Sequence, residues 1–189
     1  MRDRLNSAPL RDATEPAWQA LTFAMHGDSS KHSRLVVVRP ITPNDGEGLH
    51  AFVQAMSPNS RSDRFHGGLA ELSSAMLEGL THVDQTNHVA FVAQHCENSL
   101  LIGEARYAVD ANGEKGECAV AVADACQGQG LGTFLLEALI HAACRAGLMQ
   151  LEGEVRYTNM RMRSLATRLG FAIQTHPEPN KVRNVRQCM

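Results

Sequence analysis

Apolar positions change their spacing several times along the 189-residue chain, and each change predicts an element. The run Leu35-Val36-Val37-Val38, closed by Pro40, reads as a strand because β-branched residues fit a pleated, buried surface. Thr42-Pro43 then supplies an N-cap and a proline at the first helical position, and Leu49, Phe52, Val53 and Met56 follow at helical spacing. The stretch SPNSRSDRFHGG (57–68) is polar and predicts a turn-rich loop, after which Met76, Leu77 and Leu80 mark a second helix from about Ser73. Strands are expected at 89–93, 100–107 and 117–123, with a hairpin-type turn at 110–113. Residues 130–146 form an amphipathic helix with Leu131, Leu135, Ala138, Leu139 and Ala142 on one face, ended by Arg145 and Gly147. Residues 149–157 alternate apolar and polar as a strand does, 159–169 carry Met162, Leu165 and Leu169 at helical spacing, and short strands are expected at 171–173 and 181–186. The order β-α-α-β-β-β-α-β-α-β is an α/β layered fold on a mixed sheet. Residues 1–33 show no sustained period. They are expected to be a loosely ordered extension with one short helix around 16–25, in which only Trp18, Leu21, Phe23 and Met25 can dock. Residues 34–189 are expected to be a single domain.

Composition narrows the function classes. Eighteen basic and twenty acidic residues give a net charge of −2, which excludes a nucleic-acid protein relying on bulk cationic charge but leaves room for a small basic pocket. A hydrophobic share of 43% is enough for a core. No apolar stretch approaches the eighteen residues of a membrane span, and the first 23 residues lack the apolar block of a secretory signal. Five cysteines without CxxC spacing point to reduced thiols, hence a cytoplasmic protein, and with no HxxxH pair they offer no metal site.

The chemistry concentrates in Gln127-Gly128-Gln129-Gly130-Leu131-Gly132-Thr133, between a strand and an amphipathic helix. Its glycines allow close approach and positive φ, and successive N–H groups at a helix N-terminus make an anion site suited to a pyrophosphate. The spacing GxGxG fails the dinucleotide fingerprint GxGxxG, and no GK[ST] follows for a Walker loop. A plain glycine turn capping the helix is the alternative. In the preceding strand Glu117, Ala119 and Ala121 share one face, with Cys118, Val120 and Val122 on the other. A carboxylate on an otherwise apolar strand is costly unless paired or functional, and a partly dry setting there suits a general base. A strand end salt-bridged near Lys115 is the other reading. The set Arg156, Arg161, Arg163 and Arg168 is read as solvated helix surface in preference to a nucleotide contact.

These residues resemble a known family. Gln127-x-x-Gly130-x-Gly132 matches the Q/R-x-x-G-x-G/A motif of the GNAT superfamily of acyl-CoA-dependent N-acyltransferases, and Asn159-x-x-Met162-x-x-Leu165…Leu169-Gly170-Phe171 is similar to its second segment. SRSDRF, GECAVAVADACQGQGLG and NMRMRSLATRLGF further resemble the acetyltransferase domain of bacterial protein-lysine acetyltransferases, over about residues 34–175. The resemblance implies a largely antiparallel central sheet splayed between the fourth and fifth strands, with helices on both faces. It implies acetyl-CoA as cosubstrate and no metal. Its pyrophosphate would lie on the main chain of Gln127, Gly128, Gln129, Gly130, Leu131, Gly132 and Thr133, its pantetheine arm along Val120 and Val122, with Asn159 bonding to it. Glu117 falls at the family's general base. The acceptor implied is a primary amine, a protein lysine first, a small metabolite second; a non-catalytic acyl-CoA sensor is a third reading, and a homodimer is left open. One departure stands out: where many members carry a tyrosine to protonate the leaving thiolate, this chain has Ala166, and Tyr157 lies before Asn159, which leaves the general acid open.

Overall fold

In the computed structural model, which describes residues 20–25, 34–67 and 71–188, the β-branched run lies inside strand β2 (Arg34–Pro40), with Val36 and Val38 buried. The other strands are β1 (Leu21–Met25), β3 (His88–His95), β4 (Leu101–Val109), β5 (Lys115–Val122), β6 (Gln150–Arg156), β7 (Ala172–Thr175) and β8 (Lys181–Gln187). They form one open sheet in the order β1-β2-β3-β4-β5-β6-β8-β7. Its described pairings are antiparallel except that of β5 with β6. The expected splay is therefore between the fifth and sixth strands, because β1 adds a strand before those read from the sequence.

Helices cover both faces: α1 (Gly46–Ala55), α2 (Pro58–Phe65) and α3 (Ser74–Thr81) come before β3, α4 (Leu131–Arg145) follows β5, and α5 (Met160–Arg168) follows β6. On one face Leu131, Leu135, Leu136 and Leu139 of α4 pack on Val36, Phe91, Ala105, Tyr107 and Leu151. On the other, Leu49, Phe52 and Val53 of α1 join Ile41, Leu72, Ala90 and Val92 in a second core. Pro43 opens a single 3₁₀ turn ahead of α1, and Thr42 donates from both N–H and Oγ1 to Asp45 at 2.7 and 2.9 Å. Asp45 in turn holds Arg39 through two hydrogen bonds of 2.8 and 2.7 Å, which ties the helix start to β2.

Two expectations fail. The short helix expected around 16–25 is a strand over its described part: Leu21, Phe23 and Met25 recur at period two, and β1 pairs antiparallel with β2 from Leu21 opposite Val38 to Met25 opposite Arg34. Trp18 lies outside the described residues. The loop expected at 57–68 contains α2, started by Ser57, whose Oγ accepts from the Ser60 N–H at 3.2 Å, and by Pro58 at the first helical position.

Candidate active site

β5 and β6 run side by side for three registers only, Lys115 with Gln150, Gly116 with Leu151 and Glu117 with Glu152. Beyond Glu117 the strands diverge into a cleft of ≈ 1200 Å³. Near its apex the walls are close: a Cβ on Gly153 would stand 3.0 Å from the Cys118 carbonyl oxygen. The Ala123 N–H donates to Ile102 on the β4 side at 2.8 Å, so the alternation of an antiparallel ladder turns the N–H groups of Val120 and Val122 the other way, into the cleft. The side-chain alternation expected for β5 holds, with Cys118, Val120 and Val122 packed toward α4 and Ala121 toward α1.

At the wide end of the cleft lies the glycine loop. Gly128 and Gly130 have φ of +76° and +88°, which residues with a Cβ rarely adopt. The first bond of the α4 ladder is Phe134 N–H to the Gly130 carbonyl at 3.1 Å, which leaves the N–H groups of Leu131, Gly132 and Thr133 outside the ladder at the positive end of a fifteen-residue helix. Gly132 lines the cleft, where a Cβ would just fit, in ordinary contact with Leu165 at 3.5 Å and Val122 at 3.7 Å. Gln127 buttresses the loop: its Nε2 donates to the Val122 carbonyl at 3.2 Å and to Ser60 at 3.3 Å, and its Oε1 accepts from Arg161 at 3.2 Å. The Gln129 side chain is half-buried and bonded back to the Ala125 carbonyl at 2.9 Å, and the Leu131 side chain is wholly buried in the core, so both offer the cleft only main chain.

Glu117 stands at the apex, in the last paired register, and lines the cleft together with His66 and Glu154. Its side chain is exposed, so the partly dry setting expected from the sequence is not found, and among the described residues it has no ion-pair partner, at Lys115 or elsewhere. Asn159 also lines the cleft, but its side chain is engaged within the protein. Its Oδ1 caps α5 by accepting from the Met162 N–H at 3.0 Å, and its Nδ2 donates to Asp63 at 2.9 Å. The arginine set divides. Arg161 and Arg168 line the cleft, whereas Arg156 pairs with Asp63 at 3.2 Å and Arg163 lies over the Tyr157 ring at 4.6 Å. Tyr157 is 56% exposed and is not among the cleft residues; Ala166 is buried.

α2, for which the polar run 57–68 shows a start signal at Ser57-Pro58 but no apolar stripe, spans the splay. Ser57 and Ser60 at its start hydrogen-bond Asp124 beside the glycine loop, at 2.8 Å from the Ser57 N–H and 2.6 Å from Ser60 Oγ. Burial disfavours the Asp124 charge, but these bonds outweigh it and hold the carboxyl below its usual range. Asp63 reaches Arg156 and Asn159 on one wall, and the next residue, Arg64, reaches Glu104 of β4 behind the other, Nε to Oε1 at 2.7 Å. Adjacent residues of one short helix thus hold opposite walls of the cleft.

The chain has counterparts among known proteins. The profile of the family described as "Acetyltransferase (GNAT) family" matches residues 54–171, more than half of the chain. The chain belongs to the GNAT acetyltransferase family. An acetyltransferase of Pseudomonas aeruginosa is 37% identical over 161 residues, 82% of this chain and 87% of that protein. The acetyltransferase Pat of Mycolicibacterium smegmatis is 32% identical over 134 residues, 70% of this chain but 40% of Pat. The solved GNAT domain of S. lividans PAT superimposes with a TM-score of 0.79 at 27% identity, covering 89% of this chain and 96% of that domain. In fold alone the chain also matches a putative acetyltransferase of Salmonella typhimurium solved with its cofactor acetyl-CoA, at a TM-score of 0.64 and 19% identity over 82% of this chain and 94% of that one. Among the described residues, no helix of this GNAT protein is long and apolar enough to cross a membrane.

Proposed function

We propose that this chain is an N-acetyltransferase that moves the acetyl group of acetyl-CoA directly onto a primary amine, a protein lysine in the first instance. The observation that carries the reading is the placement of Glu117 at the closed apex of the splay whose open end is the glycine cradle. The residues fit acetyl-CoA: N–H groups of Leu131, Gly132 and Thr133 outside the ladder suit a pyrophosphate, and the N–H groups of Val120 and Val122 suit the polar atoms of an extended arm. Acetyl-CoA supplies the acyl group activated as a thioester.

The protein's own part is to position and to move a proton. A lysine ammonium has to lose its proton before its nitrogen can attack, and the exposed Glu117 carboxylate takes that proton, directly or through one water. An N–H of β5 that faces the cleft, such as that of Val122, would stabilise the negative charge that develops on the acyl oxygen. Direct transfer is favoured over an acyl-enzyme by the state of Cys118 on the cleft wall. Its desolvation, with Glu117 adjoining, pushes the thiol up to about 12, so it stays protonated and a poor nucleophile at neutral pH. With Ala166 buried and Tyr157 turned away, solvent protonates the leaving thiolate. The lysine acceptor rests on the resemblance of residues 34–175 to protein-lysine acetyltransferases; thiol release from acetyl-CoA, assayed against proteins, polyamines and amino acids, tests it. Turnover confined to small amines overturns the lysine reading, and no turnover with any amine overturns the enzyme.

Binding is tested separately. CoA at a hundred times its dissociation constant is expected to stabilise the fold by about 2.7 kcal/mol, read as a rise in melting temperature. Gly128→Val is expected to remove that rise. A Cβ at Gly128 meets nothing within 4 Å, so the substitution acts through its positive φ and the lost approach to phosphate, without crowding the protein itself. A Gly128→Val chain stabilised by CoA as well as the parent would place the pyrophosphate elsewhere.

A further inference from the structure

The strand β1 comes from a stretch to which the family resemblance assigns nothing, yet its middle lies against the cradle. Phe23, in the middle of β1 opposite Val36, stacks on Phe134 in the first turn of α4, ring centroids 4.9 Å apart and planes 29° apart. The tip of the same ring abuts the loop: a Cβ on Gly130 would lie 3.2 Å from Phe23 Cζ. Gly130 is the N-cap of α4, with φ +88°, and the N–H groups that follow it are those outside the helix ladder. Two residues along, Met25 is buried in the α4-side core and roots the strand there.

A loop with glycines at 128, 130 and 132 has more backbone freedom than one with side chains at those positions, and a ligand that needs its N–H groups in one concavity has to bear the cost of ordering them. A flat ring wedged between Gly130 and Phe134 removes part of that freedom beforehand. From this contact we infer that Phe23 is a positioning residue for the pyrophosphate loop, and that β1 serves acetyl-CoA affinity while taking no part in the transfer itself. The inference rests on the reading of residues 127–133 as the CoA cradle.

In the full chain, Phe23→Ala is expected to raise the dissociation constant of CoA and the KM for acetyl-CoA about tenfold, the size of ordering one backbone residue. Turnover at saturating acetyl-CoA and the KM for the amine stay at the parent's values. Phe23→Leu, which keeps apolar bulk but does not reach Gly130, is expected to show the same split and carries the test if the alanine chain does not fold. Phe23→Tyr discriminates further. A side chain that merely fills a half-buried site would tolerate the hydroxyl, whereas here the added oxygen sits on the atom that already abuts Gly130 and weakens CoA binding. Leu21→Ala, on the same strand but 45% exposed, is the control and leaves CoA affinity unchanged. Equal CoA affinity of parent and Phe23→Ala overturns this inference alone, as does a loss of turnover in step with folded fraction. A parent chain that does not bind CoA overturns the reading of the loop, and this inference with it.

Discussion

Glu117→Gln is expected to fold and bind CoA as the parent does, and to transfer acetyl groups about 10²–10⁴ times more slowly, the usual worth of a positioned acid–base group. The fold is spared because Glu117 is exposed and makes no ion pair among the described residues, so the change leaves no buried partner behind. CoA binding is spared because Glu117 lies at the apex of the splay, while the N–H donors of the cradle lie beyond Val122 at its open end. The amide still accepts a hydrogen bond but cannot take the ammonium proton. For a lysine acceptor, ionised below about pH 10.4, the deficit should therefore shrink as the pH is raised and free amine becomes available without the base. Rate against pH for both chains, beside their melting temperatures, measures this. A fully folded glutamine variant that turns over at the parent's rate at neutral pH removes Glu117 from the mechanism. A deficit independent of pH assigns it to acceptor binding instead.

What the sequence made legible was whatever short-range pattern controls. The glycine loop, the strand before it and the amphipathic α4 are contiguous, so spacing and capping residues reveal the strand–loop–helix unit that carries Glu117, Val120, Val122 and the cradle, whereas the cleft between splayed strands comes only with the family resemblance. β1 is not legible although Leu21, Phe23 and Met25 stand at the period of a strand, because five residues inside a polar stretch weigh little until a partner strand offsets their ordering cost. α2 is hidden for a different reason. Ser57-Pro58 is the same start signal as Thr42-Pro43, but α2 buries no residue, so it has no apolar stripe to read. What anchors it are polar contacts to residues 40 to 96 positions away, Glu104, Asp124, Arg156 and Asn159, and sequence spacing carries no trace of such pairs. The same holds for the side-chain engagement of Asn159, whose place in the motif was plain and whose tie to Asp63 was not.

Glu104→Gln is expected to be the most destabilising single substitution proposed here, at about 3–5 kcal/mol, because it leaves buried guanidiniums without their counter-charge. The Glu104 side chain is 3% exposed, between Arg64 at 10% and Arg106 at 8%. Its Oε1 accepts from Arg64 Nε at 2.7 Å, and its Oε2 accepts from Arg106 Nη2 at 2.6 Å and Nε at 3.2 Å. Arg106 Nη1 is held by the Leu80 carbonyl at 3.1 Å, so the guanidinium is fixed on α3 as well and cannot swing out to water when its partner is lost. For a domain of this size the melting temperature should fall by roughly 6–20 °C. Acid distinguishes the ion pair from lost packing. Burial alone would push the Glu104 carboxyl up, but Arg64 and Arg106 more than reverse this and hold it at about 2, against 4.5 for a free glutamate. A carboxyl depressed by folding stabilises fully above its unfolded value and loses that contribution as pH falls toward its folded one, here between pH 4.5 and 2, for about 3 kcal/mol in all. The glutamine chain has no such contribution to lose, while every other carboxyl titrates alike in both. The gap between the two melting temperatures should therefore be widest near pH 6 and close steadily below pH 4.5. A gap that stays constant down to pH 2.5 would mean that the two arginines do not depend on the Glu104 charge, and that α2 is held over the cleft by Asp124 and Asp63 alone.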